Sequence, residues 1–197
     1  MKQLKIDYEA KLKRILEDSY VNPKGVIQKP PLAISFGYTN SNNPEPIGIA
    51  SYGNFSFVQA PPKSKKTFYL SLIATAYLCG ETSYTQNMIG YRENRKLIHY
   101  DTEQSRYHAH RVFRRTIDIC GESEDYYTYA LREYSPLERL EFIDWHLNNT
   151  DNIGLVIIDG IADLMFDSND LRESSKVVQY LMRWTQELNI HIITAIH

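Results

Sequence analysis

Two apolar spacings alternate along the chain. Short apolar or alternating runs at 32–36, 53–58, 96–103, 126–131, 154–160 and 191–197 read as strands. The run GLVIIDG (154–160) is continuously apolar and ends in Asp159, the pattern of a central parallel strand covered on both faces. Between these runs the spacing turns helical. TFYLSLIATAYL (67–78) is apolar all round, as in a helix buried against a sheet, and Gly80 is its expected stop. Ala109, Val112, Phe113, Thr116 and Ile117 share one helix face. Ser135-Pro136-Leu137-Glu138 spells a capping box with Pro at the first helical position, and Leu140, Ile143 and Leu147 carry that helix inward. Val177, Leu181, Trp184 and Leu188 stripe a last helix over 170–188.

This alternation predicts an α/β fold, a mostly parallel central sheet with helices on both faces. Residues 1–50 read as an extension: a charged amphipathic helix over 1–20 with Leu4, Tyr8, Leu12 and Ile15 on one stripe, then a loop-rich stretch. Residues 51–197 read as the core. Folds of this kind usually carry further strands after one like 191–197, so the sheet is expected to continue past His197.

Composition narrows the class. The chain has 197 residues, 43% of them hydrophobic and 23% charged, which suits one globular domain and excludes disordered or collagen-like chains. No apolar run approaches the roughly 18–20 residues that a membrane span requires, and the N-terminus lacks an apolar signal core. Two cysteines, Cys79 and Cys120, make no secreted disulfide framework, so a cytoplasmic location is expected. The net charge of −2 means that any nucleic-acid contact would come from a local patch. One such patch is the run from Arg106 to Arg115. It reads as the solvated face of a helix whose other face is Val112 and Phe113, the alternative being contact with an anionic polymer or a neighbouring subunit.

The segment Ala60-Pro61-Pro62-Lys63-Ser64-Lys65-Lys66-Thr67 stands between a strand and a helix. A phosphate-binding P-loop reads G-x-x-x-x-G-K-[ST], with backbone amides around phosphate, Lys on the β/γ oxygens and the hydroxyl on Mg2+. Lys66 and Thr67 fit that pattern, whereas Ala60 and Lys65 replace its two glycines. A lysine-rich surface turn is the competing reading. Glycine at the position of Lys65 allows positive φ, and a loop stiffened by Pro61 and Pro62 is expected to relax to negative φ instead. Asp159 suits a Walker B aspartate on the Mg2+ water shell, or else a turn or N-cap. In LIHYDTEQ (97–104) both Asp101 and Glu103 could serve as general base, and spacing does not choose between them.

With APPKSKKTF (60–68), LIHYDTEQS (97–105), GLVIIDGIADL (154–164) and HIITAIH (191–197), the chain resembles the RecA-like P-loop ATPases. The resemblance is to their DnaB/RepA-like hexameric helicase branch, and within it to AAA-family ATPases of bacterial mobile elements. It implies ATP and Mg2+ as ligands, contacted by residues 60–68, with Thr67 and Asp159 serving the metal. It implies that Lys66 stabilises the transferred phosphate, that Glu103 polarises the attacking water and that His197 senses the γ-phosphate. The implied function is ATP hydrolysis in DNA replication or mobilisation, with single-stranded DNA and further copies of the chain, as a ring or filament, for partners. No arginine has a clear finger position in cis. A nucleotide-regulated interaction module with little hydrolysis is the alternative, and a small-molecule kinase is disfavoured for want of an arginine-rich lid.

Overall fold

The computed structural model describes residues 2–61 and 63–196, with side chains from Tyr8 onward. The chain runs α1 (Lys2–Ser19), β1 (Leu32–Tyr38), β2 (Pro46–Ser51), β3 (Asn54–Gln59), α2 (Lys66–Cys79), β4 (Met88–Gly90), β5 (Lys96–Asp101), α3 (Arg106–Cys120), β6 (Tyr126–Ala130), α4 (Pro136–Asn148), β7 (Ile153–Asp159), α5 (Leu171–Leu188) and β8 (His191–Ile196). A short 3-10 turn covers Ile161–Leu164. Five strands form one parallel sheet in the order β3-β8-β7-β5-β6. The expected α/β fold with a parallel sheet is therefore present.

The apolar pattern explains the layers. Every residue of β7 is buried because helices cover both faces of the sheet. On one face, Leu140, Ile143 and Leu147 of α4 and Val177, Leu181 and Trp184 of α5 close over Ile98, Val156, Ile158 and Ile192. On the other, Leu70, Ile73, Ala74 and Tyr77 of α2 close over Leu97, Leu155, Ile157 and Ile193. α3 lies on this second side through Ala109, Val112 and Phe113. The capping box at α4 forms as written, with Ser135 accepting from the Glu138 amide and Glu138 accepting from the Ser135 amide.

The N-terminal stretch is more than loop. β1 pairs antiparallel with β2 and β4, and Ala33, Ile34 and Ala50 enter the same core as α2. β2 and β4 are not evident in the sequence. β2 is mostly exposed and β4 has only three residues, so neither carries a clear apolar signature. Cys79 and Cys120 end α2 and α3 and are paired with each other, their Cα atoms 5.5 Å apart. Among the described residues no helix is long and apolar enough to cross a membrane.

Candidate functional site

Strand order places the site. β3 lies at one edge of the sheet and its chain leaves through residues 60–65 into α2, while the next sheet strand, β5, is three places away. β7 and β8 fill the gap. The carboxyl ends of β3, β8, β7 and β5 thus border a crevice of the kind in which open α/β sheets bind ligands. A cleft of about 350 Å³ lies there, walled by Lys63 to Phe68 from the β3–α2 junction, by Glu103 and Gln104 beyond β5, by Val112 and Arg115 of α3, and by Asp159 at the end of β7.

The β3–α2 loop holds its shape through its own lysine. Lys66 is 8% exposed, and its Nζ donates to the carbonyls of Ala60 at 2.9 Å and Pro61 at 3.4 Å. Ala60 and Pro61 thus serve the loop through their carbonyls. The cleft wall starts at Lys63, and Pro62 lies outside the described residues. Lys65 caps α2 without a side-chain hydrogen bond, at φ 66° and ψ 30°. Lys63 also sits at positive φ, 63°. The expected relaxation of Lys65 to negative φ is therefore corrected: the loop keeps the left-handed geometry that glycine favours, and a residue with a Cβ adopts it. Lys63, Lys65 and Lys66 all stand at the positive end of the α2 dipole, where cations are disfavoured.

Opposite the loop, Thr102 pins the β5 end to the β7 end. Its hydroxyl lies 2.9 Å from the Asp159 and Gly160 carbonyls and 2.9 Å from Asp163 Oδ2. Gly160 at φ 109° is needed there, since a Cβ would meet Asp163 Oδ2 and Thr102 Oγ1 at about 2.5–2.6 Å. Asp101 is fully buried, and its Oδ1 accepts from the amides of Glu103 at 3.1 Å and Gln104 at 2.8 Å. Burial pushes the Asp101 carboxyl up to about 6, with Asp159 nearby adding to the rise and the two amides opposing it. Asp101 thus shapes the turn, and Glu103 is the carboxylate of the pair that reaches the cleft wall. Asp159 is 2% exposed at the cleft floor.

Lys66, Thr67, Glu103 and Asp159, far apart in sequence, meet at this one cleft. His197 lies outside the described residues. Sequence reasoning missed Arg115, whose guanidinium lies 3.8 Å from the centre of the Phe68 ring and whose Nη1 is buried without a hydrogen-bond partner. The signal was its spacing of three from Val112, hidden in a run dense with charge. With Arg115, four cations (Lys63, Lys65, Lys66 and Arg115) face two carboxylates (Glu103 and Asp159) on the wall. Electrostatically the cleft is built for an anion. No protein-family model matches the chain, and no curated protein matches it either.

Proposed function

We propose that the cleft binds ATP with Mg2+ and hydrolyses it, and that the chain is a RecA-like P-loop ATPase acting on DNA in replication or mobilisation in the cytoplasm. The carrying observation is that Lys66 and Thr67 open α2 directly behind β3 in a cleft that also collects Glu103 and Asp159. The first-turn amides of α2 face out of the helix, and with Lys63, Lys65 and Lys66 they suit a polyphosphate. Phosphate oxygens are charge-assisted acceptors, stronger than the carbonyls that Lys66 now contacts.

The donor set fits the metal. Mg2+ keeps much of its water and needs few protein ligands beside phosphate, so the Thr67 hydroxyl and the Asp159 carboxylate are the groups that would hold it. When bound, Mg2+ neutralises charge on the β and γ oxygens. Glu103 takes the proton of the attacking water, while Lys66 stabilises the charge that builds on the transferred phosphoryl group. Asp101 holds the turn from which Glu103 projects. Further copies of the chain, in a ring or filament, and single-stranded DNA are the proposed partners.

A second reading has its own support. Glu103 is exposed and its carboxylate has no hydrogen-bond partner among the described residues. On that reading the domain binds nucleotide as a switch and hydrolyses little. Titration of fluorescent ATP into the wild type and Lys66→Ala tests what both readings share. Binding is expected to be lost in a variant with an unchanged far-UV spectrum, and undiminished affinity would overturn both. Turnover by the wild type against Glu103→Gln then separates them.

A further inference from the structure

A second cavity of about 520 Å³, larger than the cleft beside Lys66, lies on the other flank of α3. The two share one wall residue, Gln104. Phe113, Tyr129 and Phe142 supply aromatic surface to this second cavity, and Arg106 and Arg132 supply its cationic side, with the His110 imidazole beside them. Arg106, His110 and Phe113 lie at i, i+4 and i+7, one face of α3. Tyr129 and Phe142 meet edge to face, 5.6 Å between centres.

The other charges here are mostly committed. Arg139 donates to the carbonyls of Leu131, Asp163 and Arg132, and Glu138 is tied to Ser135. Among the described residues, Arg106, His110 and Arg132 have no ion-pair or side-chain hydrogen-bond partner, and Glu133 is the one carboxylate of the wall not so engaged. Arg106 also opens α3, the helix end at which a cation is disfavoured unless an anion joins it.

We propose that this cavity binds one nucleotide unit, its base against Tyr129 and Phe142 and its phosphate at Arg106, His110 and Arg132. Aromatic surface beside arginine is the chemistry by which proteins hold unpaired nucleotides without sequence preference. A volume of this size falls within the usual range for small-ligand pockets. The unit arrives either within a single strand or as a free nucleotide, and both present the same base and phosphate. Binding here does not depend on ATP in the neighbouring cleft. One consequence does rest on that reading: Gln104 belongs to both walls and follows Glu103, so occupancy of the cavity shifts ATP turnover.

The test is fluorescence anisotropy on the full chain with a labelled oligothymidylate and, separately, a labelled nucleoside monophosphate. Each is titrated across a salt series into the wild type, Arg106→Ala/Arg132→Ala, Arg111→Ala and Lys66→Ala. Arg106, Arg132 and Arg111 are exposed, so these variants fold normally. For the strand, loss of the one phosphate contact lowers affinity about 5-fold at 0.1 M salt and flattens the slope of log K against log salt by about 0.7. Arg111→Ala, on the same helix but off this wall, leaves binding unchanged, and so does Lys66→Ala. Binding of the strand, or of the monophosphate alone, with loss in the double variant supports the site and names its source. No binding of either probe overturns it, and so does equal damage by Arg111→Ala and the double variant. Retention of binding by Lys66→Ala keeps this outcome separate from failure of the ATP reading.

Discussion

Replacing Lys65 with glycine probes whether the β3–α2 loop carries backbone strain. Lys65 sits at φ 66° as the N-cap of α2, with no side-chain cap bond to offset its conformation. A left-handed conformation costs a residue with a Cβ roughly 1–2 kcal/mol, which glycine avoids. Glycine also widens the unfolded ensemble, which costs about 0.4–1 kcal/mol. The net expectation for Lys65→Gly is a gain of about 1 kcal/mol over Lys65→Ala. Alanine is the right reference because it removes the same charge and keeps the Cβ. In a chain of this size that difference raises the thermal midpoint by about 2–4 °C. Paired calorimetric or fluorescence melts measure it. Affinity for ATP moves the other way, because both variants lose a cation from the cleft and the glycine loop is freer. Equal midpoints for Lys65→Gly and Lys65→Ala would refute the strain argument and restore the relaxed loop that Pro61 and Pro62 suggested.

Three further outcomes follow from the site and its surroundings. Glu103→Gln keeps ATP binding and loses turnover by about 10²- to 10⁴-fold; Asp101→Asn, which retains the Oδ1 acceptor for the turn, costs less, and the reverse order in a phosphate-release assay would reassign the base. Burial lowers His99 to about 3 and His191 to about 4, so their contribution to stability is complete above pH 6.5 and falls as pH drops from there towards 4. Asp101 acts oppositely, its penalty being present above about pH 6 and relieved towards 3.8, and so offsets part of that loss. Urea midpoints that stay flat between pH 7 and 4.5 would contradict the histidine assignment. If hydrolysis needs a neighbouring copy, specific ATPase activity rises with protein concentration, and a constant value across a hundredfold dilution would count against a ring or filament.

What was legible in the sequence followed from periodicity. Strands β5, β7 and β8 carry apolar runs because a parallel sheet covered on both faces demands them, whereas the edge strands β3 and β6 are only partly buried, and each lies within two residues of its expected bounds. The Ser135 capping box was legible because its geometry is local. Strands β2 and β4 were not, because they gain stability from pairing with β1 rather than from an apolar stripe of their own. The pairing of Cys79 with Cys120 was not legible either: 41 residues separate them, and only the side-by-side packing of α2 and α3 brings their ends together. The conformation of Lys65 ran against the residue's own preference. Local propensity gave way there to the geometry of the strand-to-helix junction.

The basic run on α3 shows why a charge cluster cannot be read as one object. At about 100° per residue, the buried stripe of Ala109, Val112 and Thr116 divides what lies beside it. Arg106 and His110 fall on the flank with Phe113, towards the larger cavity, and Arg115 falls on the flank with Val112, towards the smaller cleft beside Lys66. Arg111 and Arg114 point away from both, and Arg114 pairs with Asp118 at the surface. A solvated face was thus the right reading for Arg106, His110, Arg111 and Arg114, all exposed, and the wrong one for Arg115, which walls the smaller cleft. Arg115 is also in cis to Lys66, on the same wall. The sequence shows no arginine with a clear finger position in cis, and Arg115 on this wall removes that motive for a finger from a neighbour. Any requirement for a second copy must come from the concentration dependence of turnover, measured in Arg115→Ala as well as in the wild type. Activity that falls in Arg115→Ala at every concentration would assign the charge-stabilising role to this chain's own helix. Activity that keeps its value in Arg115→Ala and still rises with concentration would return that role to the neighbour.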